Sequence, residues 1–406
     1  MISMYTGVAG LRAHEKAMDV IANNIANINT VGFKSAKANF QETLVQTMRP
    51  ASSSGANPMQ IGLGVEVSSI ENLMTQGNLQ STINPTDLAI SGNGYFILSD
   101  GNRTAYSRDG SFILDANNNL VSASNQMRVA GWSADPITGA VDTTGPITPA
   151  ATLTVPIGTM SIARQTSEVS YQANLDATAA TGTVVPTAFS AFDSLGREHR
   201  VDVTFTKTAV PGQWSWQAAG ADFTGPASGT ISFDTNGRVT TPTGAANMAL
   251  AAPNGANAAI NMTLDFGLTN QLAGTSTIQV VHQDGMTTGT LTSFAIDDMG
   301  IITGVFSNGL AQVLGQVAMA RVPNPAGLQR MSGNLYSLSA NSGEVAIGPP
   351  NQGGNGKIVS GYLEMSNVDL ANEFANMIIT QRGFQANSKI ITTADEMLQD
   401  VMMIKR

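Results

Sequence analysis

Hydrophobic residues near the C-terminus recur every seven positions, at Leu370, Met377, Phe384, Ile391 and Leu398, with Phe374, Ile378 and Met402 widening the stripe. Five positions at sevenfold spacing predict a long amphipathic helix with a coiled-coil-like seam. Ser366 or Asn367 is placed to cap its start, Asp369 and Glu373 fall in the first turns, and Lys405 and Arg406 close it, so the charges oppose the helix dipole. From Val368 to Ile404 such a helix runs roughly 55 Å, at 1.5 Å per residue. At the other end Leu11, Met18 and Ile25 continue a series from Met4, and Ile21 and Ile28 form a second stripe beside it. Asn23, Asn24, Asn27 and Asn29 crowd the last turns, and Thr30-Val31-Gly32-Phe33-Lys34 marks the exit. The plain reading is two core helices of one globular domain. Alternatively, each stripe is a surface that needs a partner: the other helix, or a second copy. Lone helices are marginal in water, so both ends of a free subunit are expected to be disordered.

Between the helices the pattern is that of short strands. Leu88, Ile90, Phe96 and Leu98 alternate around Gly92-Asn93-Gly94, and Asp109-Gly110 separates Tyr106 from Phe112-Ile113-Leu114, a hairpin signal. From about 147 to 284 the composition turns to Thr, Ala, Gly and Val, with Phe189, Val201, Val203 and Phe205 around the turn Ser194-Leu195-Gly196-Arg197. Denser apolar alternation then returns, through Phe294, Ile296 and Val313, until the glycine-rich tract 353–356. The predicted fold is therefore mixed α and all-β, multidomain, with paired terminal helices and two nested β-rich domains. The expected boundaries are 1–30 for the N-terminal helix, 31–71 for a connecting segment, 72–146 and 285–357 for the two parts of one β domain, 147–284 for the inserted outer β domain, and 358–406 for the C-terminal helix. A chain that leaves a helical base and returns to it places its midpoint farthest away.

Composition narrows the functions. The 406 residues include no cysteine, which removes disulfides, thiolate zinc sites and thiol nucleophiles. The net charge is −9 and the acidic excess lies in the middle of the chain, which argues against a nucleic-acid surface. No apolar run approaches the ~20 residues that span a bilayer, and the start lacks a basic segment followed by an apolar core. His14, His199 and His282 stand far apart, and no nucleophile or phosphate-loop motif is present. Asp115-Ala116-Asn117-Asn118-Asn119 begins like a calcium loop, but Leu120 and Gln126 replace the required glycine and glutamate, so it reads as a turn. Gly92 and Gly94 sit in a strand-like run without a following helix and read as a bulge or turn. No catalytic, cofactor or metal site is expected.

The ends carry more specific patterns. Ala22-Asn23-Asn24-Ile25-Ala26-Asn27 followed by Thr30-Val31-Gly32-Phe33-Lys34 resembles the N-terminal signature of bacterial flagellar rod and hook proteins. Gly361-Tyr362-Leu363-Glu364-Met365-Ser366-Asn367-Val368-Asp369-Leu370 and Gln381-Arg382-Gly383-Phe384-Gln385-Ala386-Asn387 resemble their C-terminal signature. Residues 298–309 and 322–328 are similar to the hook members in particular. The resemblance covers both ends and much of the β region. It implies a structural subunit, not an enzyme, that polymerises into the flagellar hook, a flexible tube transmitting torque from rod to filament. It further implies export by the flagellar type III apparatus without a cleaved signal, to an extracellular place in the flagellum. The implied partners are further copies of the chain, the distal rod protein, the hook–filament junction proteins and the hook cap. Leu11, Met18, Ile21, Ile25, Ile28, Leu370, Phe374, Met377, Phe384, Ile391 and Leu398 are the expected subunit interface. Asn23, Asn24, Asn27, Gly32, Phe33, Gln381, Arg382 and Gly383 are the family-motif residues. Two other readings compete: a distal rod protein, against which the long insertion argues, and a secreted β-rich adhesin with a coiled-coil stalk.

Overall fold

The computed structural model describes residues 2–49, 57–135, 139–158, 161–241, 243–251 and 253–404. Helix α1 (Ile2–Ala26) and helix α2 (Leu370–Ile404) are the two α-helices among them and lie antiparallel, Gly7 facing Ile391 and Asn24 facing Glu373. The 35 residues of α2 span about 52 Å. Asp369 caps it: its Oδ1 accepts the Ala371 N–H at 2.9 Å. Sequence placed that cap at Ser366 or Asn367, but the Asn367 amide is occupied elsewhere, accepting the Ser35 N–H and donating to the Leu73 carbonyl. α1 stops at Ala26, leaving Ile28 beyond the helix. Asn27 ends it by turning its side-chain amide back to the Asn23 carbonyl, at 2.8 Å, in competition with helical continuation.

The stretch expected to be a connecting segment carries strands. Ala36–Glu42 pairs antiparallel with Val65–Asn72, and Val45–Arg49 with Met59–Gly62. This ribbon lies along α1, with His14 against Phe40 at 5.5 Å between ring centroids. The return limb also differs from expectation. Lys357–Ser360 pairs with Leu88–Ser91, and Tyr362–Glu364 with Leu79–Ser81, so the chain is still in the β body when it passes residue 358.

The inner β body joins a nine-stranded sheet to a five-stranded one over a core that includes Leu88, Phe96, Phe112, Leu153, Phe306 and Val317. The inserted domain is a sandwich of two four-stranded sheets. Its strand Glu198–Lys207 alternates as a half-buried strand must, with His199, Val201, Val203 and Phe205 inward. Trp214 and Trp216 meet Tyr171 and Phe266 from the facing sheet.

Composition shifts near residue 147, but the chain changes domain later. Leu153 and Val155 lie in the inner core, and Ser161–Arg164 pairs with Met286–Ile296 in the inner five-stranded sheet. The sandwich is entered and left through these two adjacent strands. Asp284 clasps the passage by accepting the backbone N–H groups of Ser167 and Glu168, at 2.8 and 2.9 Å.

Candidate assembly face and the joint beneath it

The seam between the helices is built from small and polar side chains. A Cβ on Gly10 would stand 2.7 Å from the Asn387 amide, and one on Gly383 would stand 2.7 Å from the His14 ring. Ala13, Ala17 and Ile21 of α1, with Thr380 and Ala394 of α2, are buried in or beside this contact. Small residues let the helix backbones approach closely; Ile21 and Ile391 share the contact, and many of the large apolar residues of α2 stay outside it.

Those residues are exposed: Phe374 at 50%, Ile378 at 58%, Ile379 at 67% and Val401 at 62%. Of the residues expected at a subunit interface, Leu370, Phe374, Phe384 and Leu398 are exposed, and Ile21 is buried inside the molecule. Leu11, Met18, Ile25, Ile28, Met377 and Ile391 are half-buried. The structure thus divides the expected set: α1 spends much of its stripe on its own chain, whereas α2 keeps a nearly continuous apolar face unpartnered. A face this long is unusual on a free surface.

The motif residues divide in the same way. Gln381 and Arg382 point outward, with Arg382 donating to Gln385, and Asn23 is exposed. Asn24 is buried: its side chain exchanges hydrogen bonds with both backbone groups of Ala36, at 2.8 and 2.9 Å, and donates to Glu373. Burial raises the Glu373 carboxyl above its ordinary value, an effect the Asn24 bond opposes and Asp369 reinforces. Gly32 has φ +68° and packs against the Arg108–Asp109 backbone, where a Cβ would meet the Asp109 nitrogen at 2.6 Å. Phe33 is buried under the Arg330 guanidinium, 4.3 Å from the ring centroid.

Beneath the helix pair lies a cluster of buried charges. Glu364 is fully buried and pairs with Lys34 Nζ at 2.6 Å through Oε1 and with Arg108 Nη1 at 3.2 Å through Oε2. Oε1 also accepts the Gly77 N–H, and Lys34 donates to the Thr75 carbonyl. Lys34 is held below the ordinary lysine value, because burial outweighs the attraction of Glu364 and Arg108 adds repulsion. Lys34 and Glu364 lie within the terminal motifs, where the local sequence assigns neither a partner. The available signal was a charge that ends an uncharged run, residues 20–33 before Lys34 and 358–363 before Glu364.

His199 sits between Asp193 and Asp222 in the inserted sandwich, and His14 packs against Gly383, far from it in the fold. The Asp115 carboxylate accepts the N–H groups of Asn117 and Asn119, closing its own turn.

Family models match four stretches of the chain. Residues 4–34 match the flagella basal body rod protein model and 89–169 the flagellar hook protein FlgE/F/G D1 domain. Residues 138–286 match the flagellar basal body protein FlaE D2 domain, and 359–403 the C-terminal model of the flagellar basal body rod FlgEFG proteins. The flagellar hook protein FlgE of Treponema pallidum is 38% identical, with all of both chains covered. The chain belongs to the flagellar hook protein family. It is accordingly a hook subunit, a structural component of the bacterial flagellum that acts outside the cell. Hook proteins FlgE of Escherichia coli and Salmonella typhimurium are each 34% identical, over 98% and 100% of both chains. Among solved structures, the flagellar hook protein FlgE2 of Helicobacter pylori shares the fold, with a TM-score of 0.51 at 13% identity over 70% of this chain and 100% of that one.

Proposed function

We propose that the apolar face of α2, with the flanking parts of α1, joins copies of this hook subunit into the wall of a tube, while the sandwiches lie outermost and exchange contacts as the tube bends. The observation that carries this reading is the unpartnered stripe of Leu370, Phe374, Ile378, Phe384 and Leu398 beside a seam closed by small residues. Covering that stripe removes apolar area from water at about 25 cal/mol per Å², which makes the inner contacts firm. Contacts between polar outer surfaces break and re-form at smaller cost, so such a polymer flexes about its axis and still transmits torque. The two-strand passage through Ser161–Arg164 and Met286–Ile296 supports a sandwich that tilts on the inner body.

The partners we infer beyond further copies follow the family resemblance: the distal rod protein at one end, junction proteins at the other, the hook cap during growth, and type III export without a cleaved signal. Phe384→Asp tests the assembly face. Electron microscopy under salting-out conditions, which strengthen apolar burial, is expected to show curved tubes from the parent chain and none from the variant. Fluorescence of Trp132, Trp214 and Trp216 should be unchanged, because all three lie in the β domains. Normal tubes from Phe384→Asp would defeat this reading.

A further inference from the structure

We infer that Glu364 is a positioning residue: with Lys34 and Arg108 it fixes the direction in which the helix pair leaves the β body. Three separate parts of the chain converge on one carboxylate. Lys34 ends the segment that follows α1, Arg108 comes from the inner β body, and Glu364 ends the last strand before α2. The same strand end holds the N-terminal limb a second time, its carbonyl accepting the Gly32 N–H at 2.7 Å.

Net stability does not explain such a cluster. Two cations share one anion in a dry site, and a buried ion pair seldom outperforms an apolar pair of the same shape. Direction does explain it. One carboxylate oxygen holds Lys34 of the N-terminal limb and the other holds Arg108 of the β body, and hydrogen bonds to charged groups hold angle as well as distance. An apolar contact at the same place would let the limbs slide. In the free subunit this is a claim about orientation alone. Its consequence for the tube, that the triad sets the tilt of the inner helices, rests on the assembly reading above.

The chain has no cysteine, so spin labels can be placed without removing native residues. Asn102→Cys in an exposed loop of the β body and Ser388→Cys on the exposed side of α2 report the exit direction in the full-length monomer by pulsed electron–electron distance measurement. Glu15→Cys with Ser388→Cys reports the helix pair itself. Lone helices would be disordered, but α1 and α2 pair with each other within one chain, so the parent chain is expected to give narrow distributions for both label pairs. Lys34→Met leaves the neutral Glu364–Arg108 pair in place and is expected to broaden only the first distribution, with tryptophan fluorescence and its thermal midpoint little changed. Glu364→Gln, which strands two cations, should broaden it further; if that variant does not fold, Lys34→Met decides alone. A broad first distribution in the parent, or one unchanged by Lys34→Met, overturns the inference. Equal broadening of the second pair, or collapse of the tryptophan signal, would also overturn it, since the triad would then be an ordinary core contact. Failure of the parent chain to form tubes would count against the assembly reading only.

Discussion

Asn24 does within a helix what a neighbouring strand residue would do, satisfying both the N–H and the C=O of Ala36 while reaching Glu373 on α2. An asparagine near a helix end reads in sequence as a stop signal, and Asn27 is one; a buried clamp between three elements has the same local spelling, so sequence did not separate the two. Lys34 carries a pH signature. Its depressed value means that between that value and 10.5 the folded chain holds fewer protons than the unfolded one, so its contribution to stability rises with pH across the window. Tyr95 and Tyr336 act oppositely: burial raises both, Tyr336 to about 12, so their contribution falls once pH passes the ordinary value of 10.0. Urea midpoints of the inner domain, measured from neutral pH toward 10.5, should therefore rise in the parent relative to Lys34→Met. Parallel curves would show that Lys34 is not strained by burial.

The two helices were legible as elements because a sevenfold apolar repeat survives any reading frame of partners. Their seam was not legible. Periodicity records which positions are apolar, and the closest approach uses Gly10, Gly383 and Asn387, which are invisible to a hydrophobic count. The stripe of Leu370 and Phe384, which looked like the seam, stands largely outside it. Gly383→Ala measures the distinction. Helix propensity favours alanine by about 1 kcal/mol, yet the added methyl meets the His14 ring, and overpacking costs roughly 1–3 kcal/mol. A net loss of α1–α2 pairing is expected by helical circular dichroism, and His14→Ala should restore it. A stabilised Gly383→Ala chain would place the close contact elsewhere. The ribbon along α1 was missed because strand residues such as Val45–Arg49 are wholly exposed and lack the in–out alternation that sequence reading relies on.

At the scale of the whole molecule the nesting was readable, since alternating texture and composition mark the inserted sandwich; its edge was placed about a strand too early because Thr- and Pro-rich chain still packs on the inner core. Nesting also has a kinetic meaning. Glu364 and Lys34 are separated by 330 positions in the chain, and closing so long a loop in an unfolded polymer is entropically slow. The nesting predicts an order: folding of the sandwich brings residues 164 and 286 together, folding of the inner body then brings the two limbs together, and the helices meet last. Refolding should therefore restore the environment of Trp214 and Trp216 before helical circular dichroism recovers, and simultaneous recovery would reject this order. A chain that matures from its middle outward keeps its adhesive ends unpaired until the body is complete. In that order only a finished subunit presents a paired helical base, and the order of folding itself would screen unfinished chains from the growing polymer.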